Sequence, residues 1–277
     1  DQSVVFLIVT YGGGLNKFYG KKKAFMHYSV RPNNPNSLSH NIVWSFYEDK
    51  EGILWIGTQA GLDRFDRKTD HYIHYRSIPN KPNSLSHNIV RQVYKDHLGT
   101  LWLGTSGGGL NAFDKKKETF KVYRTDPANP RSISHNELRY IYEDRSGTLW
   151  IGANGGGLNK FNRETHDFTR YRFDENNPNS LSNDFVRCMC EDRLGNFWIG
   201  TQGGGLDKFD RQKEIFTHYR YDPNDKKSLS NDFVFCIHED ASGVLWIGTW
   251  GGGFNRFNRE EGTFAYFGTP EGLPSNA

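Results

Sequence analysis

The groups in this 277-residue chain that could carry chemistry come in sets, and each set recurs at a fixed spacing. Adjacent carboxylates stand at Glu48-Asp49, Glu143-Asp144, Glu191-Asp192 and Glu239-Asp240. Paired carboxylates can do general acid–base work. A catalytic pair would be singled out in one place, whereas this one returns in nearly every copy of a longer pattern. Neighbouring strand residues also point to opposite faces, so the pairs read as turn chemistry. His40, His87 and His135 share one position, which Asn183 and Asn231 take in later copies. Metal ligands must converge on one ion. One His per copy does not converge, and exchange with Asn reads as a loop hydrogen bond. Cys188, Cys190 and Cys236 are too few and too odd in number for a disulfide scaffold. They read as small buried apolar residues, and whether any two pair is left open. The Pro, Asp and Asn linkers match no calcium loop. No catalytic residue, metal site or cofactor is therefore expected.

The elements that must position these groups are set by a repeat. Trp55, Trp102, Trp150, Trp198 and Trp246 are spaced 47, 48, 48 and 48 residues apart, each in a Leu/Phe-Trp-Ile/Leu-Gly-Thr/Ala stretch. A weaker copy opens the chain at Phe6-Leu7-Ile8-Val9-Thr10, followed by Gly12-Gly13-Gly14-Leu15. A period of this length marks a repeat architecture. Within residues 37–84, alternation and turn residues predict strand A over 43–48, strand B over 53–58, strand C over 62–65 and strand D over 72–76. Between them lie an Asp-x-x-Gly turn, a Gly-containing turn and an Asp-rich turn, and 77–83 is the linker to the next copy. Four short antiparallel strands per repeat are the blades of an all-β β-propeller. The expectation is a single domain over 1–277 with six four-stranded blades, the first lacking its innermost strand. A segment of a seven-bladed propeller or of a longer array is the alternative. The repeated Trp is assigned to packing between blades, and the Gly two residues on to close approach of sheets. Val4 to Thr10 reads as a buried strand rather than a signal peptide. Asp1 aligns with Asp49, and 272–277 aligns with the lead-in at 37–42, which suggests an excised fragment.

Composition narrows the function. Net charge is +3, without the strong basic stripe of a nucleic-acid binder, and no run is long enough to span a membrane. Residues 231–257 show the full repeat: Asn231, Val234, Ile237, Glu239-Asp240, Gly243, Leu245-Trp246-Ile247-Gly248-Thr249, Gly251-Gly252-Gly253 and Phe257. This pattern resembles the two-component regulator propeller repeat and covers nearly the whole chain; the first copy departs from it by lacking the Trp and Gly. The resemblance implies a periplasmic or extracellular sensor region of a membrane-bound histidine kinase, often directed at glycans. It implies a binding domain rather than an enzyme, joined to the remainder of the kinase, with a homodimer formed through the parent protein.

Two positions vary between copies while their surroundings stay nearly constant. One precedes the Gly run: Tyr11, Gln59, Ser106, Asn154, Gln202 and Trp250. The other lies near the start of strand A: Trp44, Arg91, Arg139, Arg187 and Phe235. In a propeller both emerge at one mouth of the central channel. Architectural positions should agree among copies, whereas ligand-facing ones are free to differ. Aromatic faces, amides and three Arg suit an oligosaccharide, and an acidic one in particular. The alternative is a solvated rim with Arg stems packed on neighbouring blades. A lyase-type enzyme is the rival from another class, with His238 as its candidate, although that position is held by Tyr47, Tyr94 and Tyr142 elsewhere. A lectin-like scaffold with equivalent weak sites is the third reading.

Overall fold

The computed structural model describes residues 5–20 and 23–276. The sequence readings on Asp1, Val4 and Ala277 lie outside them. Sheet 1 contains β1 (Val5–Thr10), β2 (Gly14–Tyr19) and β3 (Ala24–Tyr28). Sheet 2 contains β4 (Val43–Glu48), β5 (Ile53–Thr58), β6 (Gly61–Asp66) and β7 (His71–Tyr75). Sheet 3 contains β8 (Val90–Lys95), β9 (Leu101–Thr105), β10 (Leu110–Asp114) and β11 (Thr119–Tyr123). Sheet 4 contains β12 (Leu138–Glu143), β13 (Leu149–Ala153), β14 (Leu158–Phe161) and β15 (Phe168–Tyr171). Sheet 5 contains β16 (Val186–Glu191), β17 (Phe197–Thr201), β18 (Leu206–Asp210) and β19 (Ile215–Tyr219). Sheet 6 contains β20 (Val234–Glu239), β21 (Leu245–Thr249), β22 (Gly253–Asn258) and β23 (Thr263–Phe267). Each sheet is a meander in chain order, and among the described residues sheet 1 has three strands, with no strand A.

By contacts the chain divides into two compact units, Asp1–Arg124 with Asn136–Ile141, and Thr125–His135 with Tyr142–Ala277. The repeated Trp is core in both. In the first unit Trp55 is 2% exposed. It packs at 5.4 Å from Phe113 of the next sheet, which Tyr75 also meets at 5.0 Å. In the second, Trp150 lies 5.8 Å from Phe209, and Trp198 lies 5.1 Å from Phe257. The glycine two residues beyond permits this approach. A Cβ on Gly57 would stand 2.8 Å from the Val90 carbonyl oxygen, and one on Gly200 would stand 2.5 Å from Val234 Cγ1.

The carboxylate pairs are consumed by structure. Asp144 Oδ1 accepts the Ser146 and Thr148 amides, while Oδ2 accepts the Trp150 indole N–H at 2.8 Å. The same indole-to-Asp bond ties Trp55 to Asp49, Trp102 to Asp96, Trp198 to Asp192 and Trp246 to Asp240. A cation from the next sheet completes the junction. Arg211 bridges Asp144 at 2.8 Å and Glu191 at 2.5 Å, and Arg259 joins Asp192 to Glu239. Lys115 meets Asp49 at 3.4 Å.

Two readings need correction. β1 is a strand, but Phe6 is 54% and Ile8 41% exposed, whereas their counterparts Leu54 and Ile56 are fully buried. The run is apolar because it is a blade strand, yet nothing among the described residues covers that face. Of the three thiols, all free, only Cys188 is buried; Cys190 is half-buried and Cys236 exposed. Burial pushes the Cys188 thiol well up and the Cys190 thiol up to about 11, so neither behaves as a reactive thiolate.

Candidate functional site

The strand-A candidates owe their direction to a backbone irregularity that the sequence did not reveal. In sheet 2, Val43 pairs with Thr58 but Ser45 pairs with Gly57, so Trp44 is an extra residue in the ladder. The same slip makes Arg91 the extra residue between Val90 and Gln92, Arg187 between Val186 and Cys188, and Phe235 between Val234 and Cys236. A β-bulge re-aims its side chain. Here it brings the strand-A candidate to the candidate in the B–C turn of the same sheet.

In the first unit the Trp44 indole N–H donates to Gln59 Oε1 at 3.0 Å. The Gln59 amide is held in turn by the Ile42 carbonyl. Tyr11, 82% exposed, lies 6.1 Å from Trp44, and the Arg91 guanidinium sits 3.7 Å over the Trp44 ring. At that distance a cation–π attraction is strong. Ser106 forms a β-bridge with Glu137, and Glu137 pairs with Arg139 at 2.8 Å. Arg139 therefore differs from the open cation the sequence suggested, because a carboxylate already meets it.

In the second unit Asn154 bridges to Phe185 and Gln202 to Phe233. The Arg187 guanidinium donates to Gln202 Oε1 and lies 5.6 Å from the Phe235 ring. Phe235 and Trp250 are 5.4 Å apart and tilted by 31°, and Phe233 stacks on Phe235 at 6.0 Å. Trp250 is 58%, Phe235 42% and Phe185 39% exposed. The Nε atoms of Arg91, Arg139 and Arg187 are buried, so the stems pack while the terminal nitrogens reach the surface groups.

Each unit thus brings together a bulge residue, a turn residue and a neighbouring Arg. The sequence reading missed a third variable position: Ile42, Ile89, Glu137, Phe185 and Phe233, two residues before each strand-A candidate. Its signal lies in the sequence, since it also varies between copies, but its place beside the lead-in hides it. The lead-in His and Asn do loop work: Ile42 and Ile89 amides donate to His40 and His87 Nδ1, and Phe185 and Phe233 amides donate to Asn183 and Asn231. Among the described residues no cluster of His, Cys, Asp and Glu could hold a metal. Among the described residues no helix is long and apolar enough to cross a membrane.

Comparison with known proteins follows this geometry closely. The two component regulator propeller model matches residues 37–60, 84–107, 132–155, 180–203 and 228–251. Each segment contains one strand-A candidate and one turn candidate, while Tyr11 lies outside them. The chain carries five matches to the two component regulator propeller repeat and has the β-propeller fold. No curated protein sequence matches it. Among solved structures it is similar to the extracellular domain of a B. thetaiotaomicron protein described as a hybrid two component system, BT3049. The identity is 28% and the TM-score 0.72, over 86% of this chain and 31% of that one. The extracellular domain of BT4673, from the same organism, is 24% identical with a TM-score of 0.65, over 96% of this chain and 42% of that one. Virginiamycin B lyase from Staphylococcus aureus, at 14% identity and a TM-score of 0.67 over 99% of this chain and 89% of that one, shares the fold. The chain spans less than half the length of the two extracellular domains, and with them it is placed outside the cytoplasm.

Proposed function

We propose that this chain is the ligand-recognising part of a two-component signalling protein, and that the ligand is a carbohydrate. The observation that carries the reading is the pairing of bulge and turn residues. It sets aromatic rings, half-buried in Trp44 and exposed in Phe235 and Trp250, beside the amide and guanidinium groups of Gln59, Arg91, Gln202 and Arg187. Flat aromatic rings suit the apolar faces of sugar rings, and planar amides and guanidinium forks suit hydroxyls, carboxylates and sulfates. The reading is non-enzymatic, because the recurrent carboxylates and lead-in histidines are engaged in turns. Coupling to the membrane-bound remainder of a histidine kinase is part of the proposal, supported by the two extracellular relatives. A glycan array of neutral, carboxylated and sulfated oligosaccharides tests it. Binding should concentrate on a few related glycans and vanish when Phe235 and Trp250 are both changed to Ala. An array without selective binding sinks the carbohydrate reading.

A further inference from the structure

The linkers that join one sheet to the next differ sharply in charge. Residues 29–42 and 76–89 contain Arg31, Arg76 and Lys81 and no carboxylate, whereas 172–185 contains Asp174, Glu175 and Asp184. In the first unit the two basic linkers wall a cavity of about 810 Å³, whose lining includes Val30, Arg31, Leu38, Arg76, Ile78 and Pro79. Ser77, Ile78 and Pro79 also line an adjoining cavity of about 640 Å³, which adds Lys81 and Arg124. Among the described residues no carboxylate lines either one. The walls are held in place before any ligand arrives. The Arg31 amide donates to Ser37 Oγ and the Ile78 amide to Ser84 Oγ, closing the same Pro-containing turn in each linker. His74 Nε2 lies 2.9 Å from the Pro35 carbonyl and pins the first linker to its sheet.

Two departures from the repeat make this groove both basic and apolar. Arg76 shares its position with Arg172. Arg172 is neutralised by Asp184 at 2.8 Å. The linker of Arg76 has Asn88 in that place, and Asn88 Oδ1 accepts the Ser77 amide, so Arg76 faces the groove without that carboxylate. Ile78 stands where the other linkers carry Arg31, Asp126, Asp174 and Asp222, and it is 49% exposed. Leu38, buried, forms the floor. We propose that the groove binds an extended acidic peptide, with its aliphatic side chains against Val30, Leu38 and Ile78 and its carboxylates on Arg31 and Arg76. Guanidinium forks match carboxylates in a bidentate way, and preformed walls spare the cost of ordering a site. Among the described residues the lining has no Phe, Tyr or Trp, so its apolar surface suits Leu or Val side chains rather than the flat faces of sugars. Two cavities in series suit a chain rather than a single anion. The site is separate from the bulge and turn residues and does not depend on their ligand.

Fluorescence anisotropy of the whole chain with a fluorescein-labelled peptide of Glu and Leu tests this, beside peptides in which Gln replaces Glu or Ser replaces Leu. Only the Glu and Leu peptide should bind saturably, and more weakly as salt is raised. R31E with R76E should weaken binding at least about tenfold. I78S should weaken it while leaving the salt dependence unchanged. K116E with K117E reverses as much charge on an exposed turn of sheet 3 and should bind as the unaltered chain does, with circular dichroism checking that each variant folds. Absence of binding by the Glu and Leu peptide overturns the proposal, as does undiminished binding by R31E with R76E. So does an equal loss in K116E with K117E, which would mark attraction by overall charge, or equal binding of the Ser peptide, which would mark a patch for any anion.

Discussion

Single residues carry the pH behaviour. Asp192 is buried, which opposes its ionisation, but hydrogen bonds from Trp198, Arg259 and Asn196 outweigh burial and hold its carboxyl at about 2. A carboxylate depressed in the folded state stabilises the fold above its unfolded pKa, and that contribution is lost as pH falls through the folded value. Acid unfolding followed by circular dichroism should therefore steepen between about pH 4 and about pH 2. D192A should flatten that slope and cost about 1–3 kcal/mol at neutral pH, because the indole and guanidinium lose their acceptor. His74 and His218 act in the opposite sense. His74 Nδ1 lies 2.7 Å from Asp63 Oδ1 and Nε2 lies 2.9 Å from the Pro35 carbonyl. His218 repeats this with Asp207 and Pro178. Both ring nitrogens face acceptors, which requires a proton on each. The hydrogen bond to Asp, with the linker carbonyl and the carboxylate charge, raises both histidines above their ordinary value against the pull of burial. Their stabilisation is complete below the unfolded pKa and lost as pH rises through the folded one. NMR titration of the imidazoles should find both histidines titrating late. D63N and D207N, which place there the Asn that sheets 3, 4 and 6 carry as Asn111, Asn159 and Asn255, should return them toward the ordinary range. Early titration in the unaltered chain would contradict the double-acceptor geometry.

At the scale of the element, the junctions between consecutive sheets resist change and the turns that bear the candidates do not. G200A forces a methyl group to within contact of Val234 and Cys188, and overpacking of this kind costs about 1–3 kcal/mol. W250A removes an exposed side chain and should alter the unfolding midpoint in urea by an amount equivalent to less than about 0.5 kcal/mol. Equal losses from the two would contradict the division between architecture and site. Most of the sheet structure was legible in the sequence because each Asp-x-x-Gly turn and each Trp-x-Gly step has one physical use, repeated five times. β4 and β5 begin and end where alternation and turn chemistry place them. The bulges at Trp44, Arg91, Arg187 and Phe235 were not legible. A bulge is a mismatch between two strands, and neither strand's own sequence records it. Exposure of β1 was also hidden, since an apolar strand reads the same whether or not a neighbour covers it.

For the whole molecule, the internal comparison of copies located the variable residues but could not rank them. The structure does, by showing Arg139 met by Glu137 and by adding Phe233 to the aromatic set around Phe235. The likeness to the extracellular domain of BT3049 fits a setting outside the cytoplasm in which a recognition surface is useful. The central claim is that the bulge and turn residues bind ligand while the Trp-Gly motif only builds blades. Isothermal titration of the strongest glycan from the array, against the unaltered chain and three double variants, tests it most directly. The account predicts that W44A with R91A, and separately F235A with W250A, weaken binding at least about tenfold, roughly 1.4 kcal/mol, with unfolding midpoints unchanged. K116A with K117A, on an exposed turn of sheet 3, should bind as the unaltered chain does. Undiminished affinity in both aromatic variants would contradict it.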